Sequence, residues 1–397
     1  MPNIAVIGAG AAGCFCAAEL RRRLPEAVVD VYEAGPKPLA KVAITGGGRC
    51  NLTNSFEGIR SLSEAYPRGE RLMKRLLKRF SQEDTWRWFE SAGVPLVLQE
   101  DHCVFPKSQD AMDIVHALLR RMEGGSLRLR TCVNSITSDT TGHLLVDGKP
   151  YDFVVVTTGG APKRLPMLDA LDLEWVPTVP SLFTFTIRDI ELRALMGLVV
   201  EEAAVSIPGT TFKADGPLLI TDWGLSGPAI LRLSSYAARH LAVCGYKAPL
   251  LVNWLGFNEA ETRAILEETA GENPRKQVSN TPPAGLQARL WNYLITKSEL
   301  RQDIRWGEVG SKGFNRLVAT LTQDSYAIEG KTKFREEFVT CGGVALSNVD
   351  PSTLECKKHP GLYFAGEVLD IDAVTGGFNL QAAWTTGFTV AQSIAER

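Results

Sequence analysis

One stretch near the N-terminus constrains the fold of this chain more than any other. The apolar run NIAVIG ends in a glycine turn, Gly8-Ala9-Gly10-Ala11-Ala12-Gly13, and the helix-forming segment CFCAAELRRRL follows it. A second apolar run, AVVDVYE, then ends in Glu33, 20 positions after Gly13. A strand, glycine turn, helix, strand and acid at this spacing predict a parallel α/β unit of Rossmann type that binds a dinucleotide.

Each glycine of this turn is expected to serve a different steric purpose. Gly8 permits the tight turn, Gly10 lets a pyrophosphate approach the backbone, and Gly13 lets the helix pack close to the strand. The free amides and the positive dipole end of the helix N-terminus would face the phosphates. Glu33 is expected to accept hydrogen bonds from ribose hydroxyls. The fingerprint alone fits FAD and NAD equally.

Two later stretches favour FAD. DFVVVTTGGAP (152–162) and GLYFAGEVLDID (361–372) each indicate a buried strand that runs into a glycine turn. TGGFNLQAAWTTGFTVAQSIA (375–395) then indicates a helix opened by two glycines. The first and last pieces are about 350 residues apart. The FAD domain of two-dinucleotide-binding flavoproteins is split in this way, so we expect a noncovalently bound FAD.

The glycine-rich stretch TGGGRCNLTN (45–54) begins 12 residues after Glu33. Glycines there let the backbone approach the flavin ring and the pyrophosphate without Cβ clashes. Arg49 could face phosphate or a substrate carboxylate, and Asn51 could bond the flavin or shape the substrate pocket. Cys50 is expected to be a buried, inert thiol, because the next cysteine is Cys103, 53 residues on.

The residues predicted to bind the cofactor lie in these glycine turns, beside the acids that follow the strands, and at a few further positions. They are Gly8, Ala9, Gly10, Ala11, Ala12, Gly13, Glu33, Ala34, Lys41, Gly47, Gly48, Arg49, Cys50, Asn51, Val133, Thr158, Gly159, Gly160, Gly366, Glu367, Asp370, Gly376, Gly377, Phe378, Asn379 and Leu380. No catalytic acid or base is identified, because the five histidines are scattered. No metal site is expected, since no Cys/His cluster has zinc spacing.

Taken together, several stretches resemble the bacterial BaiN/RdsA-like flavoproteins, which are NAD(P)/FAD-dependent or aminoacetone oxidase-like. The matching stretches are GAGAAG, KVAITGGGRCNLTN, VFPKSQDAMDIVHAL, LLITDWGLSGPAILRLS and CGGVALSNVDPSTLECKKHPGLYFAGEVLDIDAVTGGFNLQAAWTTG. One departure is visible: the family usually has Gly-Arg before Val-Phe-Pro, and this chain has His102-Cys103. The resemblance implies an FAD domain interrupted by a β-barrel-like part and a helical part.

The residue pattern in the middle of the chain agrees with that architecture, because short β-branched and apolar runs at 174–252 are followed by helical periodicity at 258–325. We therefore predict an α/β fold with a discontinuous Rossmann-type FAD-binding domain at 1–170 and 335–397. A β-barrel-like insert is predicted at 171–252 and 322–334, and a helical insert at 253–321. Residues 170–335 contain no second strand–GxGxxG–helix, since the nearest candidate, Gly307 to Gly313, has the wrong glycine spacing. NAD(P)H is therefore expected only as a transient donor.

The predicted function is FAD-dependent hydride transfer to or from a small organic substrate, in a cleft between the FAD domain and the insert. The identity of the substrate and the oligomeric state are not predicted. A net charge of −2 argues against nucleic-acid binding, and the basic runs at 20–24 and 68–79 are more simply solvated helix faces. The absence of an apolar run near 18 residues argues against a membrane span, and scattered cysteines favour the cytoplasm. The alternatives are a flavin-dependent RNA-modifying enzyme and a non-catalytic redox-sensing module.

Overall fold

The computed structural model describes residues 1–139, 142–161, 163–283, 285–331 and 339–397. The chain divides into two compact units, the first comprising Met1–Ser181 with Val339–Arg397 and the second Leu182–Phe338. The return from the insert, for which the sequence predicts a boundary between 334 and 335, lies outside the described residues.

The secondary structure of the described residues follows in chain order. The strands are β1 (Asn3–Ile7), β2 (Val28–Tyr32), β3 (Thr53–Asn54), β4 (Leu96–Leu98), β5 (Cys103–Pro106), β6 (Ser126–Arg128), β7 (Ile136–Ser138), β8 (Leu144–Val146), β9 (Lys149–Tyr151), β10 (Phe153–Val156), β11 (Trp175–Ser181), β12 (Phe185–Thr186), β13 (Val199–Ser206), β14 (Lys213–Thr221), β15 (Gly224–Ser226), β16 (Ala248–Asn253), β17 (Asp324–Ile328), β18 (Gly330–Lys331), β19 (Val339–Val344) and β20 (Leu362–Phe364). The α-helices are α1 (Ala11–Arg23), α2 (Ala40–Gly48), α3 (Leu62–Ala65), α4 (Glu70–Leu76), α5 (Gln82–Ser91), α6 (Ala111–Arg121), α7 (Ile190–Arg193), α8 (Pro228–Tyr236), α9 (Ala238–Val243), α10 (Glu259–Glu272), α11 (Ala288–Lys297), α12 (Ser311–Thr322) and α13 (Phe378–Ala395).

Five parallel strands form the sheet that the N-terminal fingerprint predicts, in the order β20-β10-β1-β2-β6. The central strands are apolar and buried, as parallel strands covered on both faces must be. Ile7 pairs with Val156, and Val156 pairs with Phe364, so β1, β10 and β20 end at the same edge. The three glycine-containing turns that follow these strands therefore leave the sheet side by side.

Two helices from opposite ends of the sequence pack against each other beside this sheet. A Cβ on Gly387 of α13 would lie 2.8 Å from the carbonyl oxygen of Ala12 in α1, so the two helices approach at backbone distance. Aromatic side chains fill the same interface: the ring centroid of Phe15 of α1 lies 5.5 Å from that of Trp384 of α13 and 4.6 Å from that of Trp88 of α5. This aromatic core explains why α13 is buried on nearly all sides.

The second unit is built on an antiparallel sheet in the order β17-β16-β13-β14-β15-β12-β18. The segment between β16 and β17 carries α10, α11 and α12. Leu266, Trp291 and Leu317 from these helices belong to the same buried core as Phe185 and Val205 of the sheet. Sheet and helices thus share one apolar core, and the division of the insert into a barrel-like and a helical part stays a prediction. In the described parts of the chain, none of the helices combines the length and the apolar character that crossing a bilayer requires.

Candidate functional site

The turn between β1 and α1 has the steric properties that its glycines predict. Gly8 has a φ of 108°, and a Cβ there would lie 2.6 Å from the carbonyl oxygen of Thr157. A Cβ on Gly13 would lie 1.9 Å from the carbonyl oxygen of Gly8. A Cβ on Gly10 would meet nothing within 4 Å. Two of the glycines are therefore required by the protein's own packing, whereas Gly10 faces open space large enough for another group.

Glu33 follows β2 and folds back onto the same turn. Its Oε2 accepts a hydrogen bond from the Ala9 amide at 2.9 Å, and its Oε1 accepts one from the Gly35 amide at 2.7 Å. A carboxylate has about four acceptor positions, so it can still accept bonds from a ribose. A later segment lies beside Glu33. The Thr131 amide donates to the Glu33 carbonyl at 2.8 Å, so the segment around Val133 is close to the turn that contains Ala34.

These contacts give Glu33 a role in shaping the turn as well as in binding. We expect Glu33→Ala to weaken FAD binding by about 1–3 kcal/mol, the range for hydrogen bonds to a charged acceptor. Isothermal titration of flavin-free protein with FAD measures this change, and Glu57→Ala, an exposed glutamate beside His102, is the control. Unchanged FAD affinity in Glu33→Ala would contradict the assignment.

The glycine-rich stretch at the end of α2 departs from helical geometry through left-handed backbone. Thr45 is extended, and Gly46, Gly47 and Gly48 have φ values of 58°, 70° and 84°. Cβ atoms on Gly47 and Gly48 would meet nothing within 4 Å. Arg49 is exposed, and its guanidinium lies 4.5 Å from the centroid of the Phe105 ring. The backbone at Gly47 and Gly48 can therefore be approached closely by another molecule.

Cys50 lies at the end of this loop with a φ of 61° and no exposed surface. Burial raises the pKa of its thiol to about 12. The thiolate is the nucleophilic form of cysteine, so this side chain is chemically inert at neutral pH.

The loop at 45–54 meets the start of α13. A Cβ on Gly377 would lie 2.4 Å from the Thr53 carbonyl oxygen and 2.7 Å from Asn51 Oδ1. Asn54 Nδ2 donates to the Gly376 carbonyl at 3.0 Å. No side chain caps α13 at its N-terminus, and no acid lies in its first turn. Two segments separated by more than 300 positions thus converge at an uncapped helix N-terminus.

The first turn of α13 is held by its own polar contacts. Asn379 Nδ2 donates to the Ala373 carbonyl at 2.9 Å, and its Oδ1 accepts from the Ala373 amide at 2.9 Å. Tyr66 donates its hydroxyl to the Phe378 carbonyl at 2.9 Å. Leu380 is half-buried in the same turn. These contacts fix the backbone on which Gly376 and Gly377 sit.

The turns after β10 and β20 meet at Glu367. Its Oε1 accepts from the Thr340 amide at 2.8 Å, and its Oε2 lies 3.4 Å from Lys41 Nζ. A Cβ on Gly160 would lie 2.7 Å from Glu367 Oε1, and one on Gly159 would lie 3.6 Å from Oε2. The structure thus brings together these four predicted residues. Asp370 lies farther along the same loop, where its amide donates to the Val344 carbonyl at 3.0 Å.

Two buried polar atoms of this region have no hydrogen-bond partner among the described residues, Asn51 Oδ1 and Thr158 Oγ1. An unsatisfied buried acceptor costs about 1–3 kcal/mol, so such atoms indicate a group that completes them. Open space at Gly10, Gly47 and Gly48 and an uncapped helix N-terminus accompany them. The residues present therefore fit a polar dinucleotide such as FAD.

One buried ion pair in this unit could not be predicted from the sequence. Arg68 donates to both carboxylate oxygens of Asp372, with 2.6 Å between Nε and Oδ1. The Ser181 hydroxyl donates to Asp372 Oδ2 at 3.0 Å. Asp372 has no exposed surface, and burial raises the pKa of its carboxyl although Arg68 opposes the shift. The pair fixes the loop that leads from β20 to the two glycines of α13.

The residues that replace the family's Gly-Arg lie at the start of β5. His102 has a φ of 64°, a left-handed conformation that glycine adopts without strain, and its Nδ1 lies 3.4 Å from Ser55 Oγ. Cys103 is buried at the first position of the strand. Across the described ranges, no group of three or more His, Cys, Asp and Glu side chains is arranged to hold a metal ion.

Comparisons with known proteins agree over the whole chain. The model of the family described as HI0933-like protein Rossmann domain matches residues 2–393. The ribosomal RNA dihydrouridine synthase of Escherichia coli (strain K12) is 31% identical over 98% of this chain and 97% of that protein. The 3-dehydro-bile acid delta(4,6)-reductase of Clostridium scindens (strain ATCC 35704 / DSM 5676 / VPI 13733 / 19) is 26% identical over 100% of both chains.

The solved structure of a 3-ketosteroid delta1-dehydrogenase from Sterolibacterium denitrificans aligns over 100% of both chains, with a TM-score of 0.48 and 15% identity. The family match and the curated relatives confirm the resemblance to BaiN/RdsA-like flavoproteins and the Rossmann-type FAD-binding fold. The chain therefore belongs to the HI0933-like Rossmann family and is an FAD-dependent oxidoreductase.

Proposed function

We propose that this protein uses FAD to reduce a carbon–carbon double bond conjugated to a carbonyl group. The proposal rests on the type of reaction that the names of two full-length relatives have in common. A dihydrouridine synthase saturates the ring double bond of uracil, which is conjugated to a carbonyl. A delta(4,6)-reductase of a 3-dehydro bile acid saturates double bonds conjugated to the 3-keto group. One reaction class thus covers two unrelated substrates.

The chain's own residues support binding and orientation of the cofactor in this reaction. The Gly8–Gly13 turn and the N-terminus of α1 would hold the pyrophosphate, and Glu33 the adenosine ribose. Asn51 and the uncapped start of α13 would face the flavin ring, where positive helix-end charge favours an electron-rich group. When bound, FAD supplies the hydride transfer itself.

The proposed substrate is a small organic molecule with an enone group. A uracil base within RNA is the second candidate, favoured by the 31% identity with a ribosomal RNA dihydrouridine synthase over 98% of the chain. Both candidates demand the same chemistry at the flavin, so the reaction class can be tested before the substrate is known.

We further propose that NAD(P)H acts as a transient donor without a tight site of its own. A nicotinamide-binding Rossmann domain needs parallel strands joined by crossover helices. In the described part of the second unit, the strands of the main sheet pair antiparallel instead. NAD(P)H should therefore bind weakly and compete with the substrate.

Anaerobic flavin spectroscopy on the purified protein tests this function. We expect the protein to be yellow, heat to release FAD, and the reduced flavin to be reoxidised by a 3-keto-4-ene steroid, a simple cyclic enone or a uridine-containing RNA. The saturated analogue of each compound is the control. Release of FMN, or a protein that cannot be reconstituted with FAD, would refute the cofactor. Failure of every conjugated compound while an amine bleaches the oxidised flavin would show oxidase chemistry instead.

A further inference from the structure

The helix α4 and the turn after it present a strongly basic surface. Leu72, Met73 and Leu76 are buried and fix the orientation of the helix. The exposed positions of the same segment are Arg71, Lys74, Arg75, Lys78 and Arg79. Side chains three and four residues apart lie on one helical face about 5–6 Å from each other. The segment therefore presents a row of cations, with Glu70 as the one acid between 70 and 79.

The structure joins this row to the other basic run of the sequence. Arg22, at the end of α1, lines the same cavity as Arg79, and Arg87 and Arg121 complete its rim. The cavity has a volume of about 400 Å³. Phe80, Trp88 and Phe388 form its apolar part. Two basic runs that look like separate solvated faces in the sequence thus form one surface, together with two further arginines.

The acids near this cavity are already engaged. Glu19 is buried and accepts from Arg22 at 2.8 Å and from Trp88 Nε1 at 2.8 Å. Asp84 accepts from Ser81 in the capping box of α5, and its Oδ1 lies 3.6 Å from Arg87 Nη1. Arg22 and Arg87 are thus partly neutralised, and Arg87 Nη2 also lies 3.4 Å from Glu83 Oε2. The cations of α4 have no ion pair with these three acids among the described contacts.

Three arginines of this surface donate to neutral partners. Arg79 donates to the Ser352 carbonyl at 2.7 Å, and Arg75 donates to the Ser352 hydroxyl at 3.1 Å. Arg121 donates to the Ser91 carbonyl at 2.7 Å, and its guanidinium lies 5.4 Å from the centroid of the Trp88 ring. These bonds orient the guanidinium groups without neutralising them, so their full charge is available to an anion.

We propose that this surface, formed by Arg71, Lys74, Arg75, Lys78, Arg79, Arg22, Arg87 and Arg121 and called the basic face below, binds the phosphate backbone of RNA. A row of cations suits a polyanion with regularly spaced charges. The inference rests on the second candidate substrate of the proposed function, a uracil base within RNA. The net charge of −2, which alone argues against nucleic-acid binding, is a sum over the whole chain, whereas these cations are concentrated on one surface.

The test measures RNA binding by the FAD-loaded protein at several salt concentrations. The probe is a fluorescein-labelled single-stranded RNA of mixed sequence, and the readout is fluorescence anisotropy. Lys74→Gln/Lys78→Gln removes two exposed cations of the basic face. Lys276→Gln/Lys312→Gln removes two exposed cations of the second unit and has the same effect on net charge. The flavin absorbance spectrum of each variant reports whether the fold is intact.

We expect Lys74→Gln/Lys78→Gln to bind RNA several-fold more weakly than wild type. The slope of log K against log salt should fall in magnitude by about 1.4, for two lost phosphate contacts at roughly 0.7 each. The control variant should match wild type. Equal weakening in both variants, an unchanged slope, or no RNA binding by wild type would overturn the proposal.

Reduction of the simple enone by Lys74→Gln/Lys78→Gln separates this inference from the proposed function. We expect its rate to equal that of wild type, because neither lysine belongs to the glycine turns. RNA binding that persists in a protein unable to reduce any conjugated compound would refute the reaction class and leave the basic face in place.

Discussion

Gly10→Ala should strongly weaken FAD binding and leave the flavin-free protein folded, whereas Gly13→Ala should damage the fold itself. The two glycines are three positions apart in one turn, but their surroundings differ. A Cβ on Gly10 meets no protein atom within 4 Å, and the φ of −85° at this position suits alanine. A Cβ on Gly13 would lie 1.9 Å from the Gly8 carbonyl oxygen and 2.5 Å from Thr157 Oγ1.

The expected sizes of the two effects follow from these contacts. Gly10→Ala should change the free energy of unfolding of the flavin-free protein by less than about 1 kcal/mol. Its affinity for FAD should fall about 100-fold, which is roughly 2.8 kcal/mol, because the methyl group occupies the space of the pyrophosphate. Gly13→Ala should lower the free energy of unfolding by about 3 kcal/mol, the upper part of the range for overpacking.

Urea unfolding of flavin-free protein and calorimetric titration with FAD separate the two outcomes. Gly58→Ala, at a left-handed glycine with open space around it, controls for backbone strain outside the site. If Gly10→Ala binds FAD as tightly as wild type, the pyrophosphate does not approach this turn.

The second large effect concerns the buried pair of Arg68 and Asp372. Asp372→Ala should lower the free energy of unfolding by about 3–5 kcal/mol, because it leaves a buried guanidinium without its counter-charge. Burial raises the pKa of Asp372, so the pair itself is not a large net source of stability. The double variant Arg68→Met/Asp372→Asn should therefore be more stable than Asp372→Ala alone.

Urea unfolding of wild type, Arg68→Met, Asp372→Asn and the double variant forms a double-mutant cycle, and Asp372→Ala is unfolded beside them. Asp84→Ala, which removes a partly exposed carboxylate from a capping box, gives the smaller reference loss of about 1 kcal/mol. A double variant that loses as much as the sum of Arg68→Met and Asp372→Asn would show that the two side chains do not act as a pair.

The glycine turns were predictable because their constraints are local. Gly13 is required because its helix approaches the carbonyl of Gly8 in the adjoining turn, and the φ of 108° at Gly8 is a property of the turn itself. The two glycines that open α13 were likewise visible as a break before a long apolar helix. In each case the neighbouring residues carry enough of the geometry to indicate the element and its function.

The Arg68–Asp372 pair and the basic face could not be predicted in the same way. Asp372 lies within a recognisable stretch, but its partner is 304 positions away and sits in a run of basic residues typical of any exposed helix. The convergence of the runs at 20–24 and 68–79 depends on how α1, α4 and α5 pack. The hydrogen bonds of Glu33 to two backbone amides could not be predicted either, because they depend on the tertiary shape of the turn.

The packing of α13 on α1 determines when the cofactor site can form during synthesis. β20 supplies one edge of the parallel sheet, and α13 contacts the fingerprint helix at backbone distance. A nascent chain in which β20 and α13 have not yet been synthesised thus has the glycine turn but not its packing partner, whereas the second unit, Leu182–Phe338, is contiguous in sequence. The second unit can therefore fold before the first, and the cofactor site can form only after β20 and α13 have emerged.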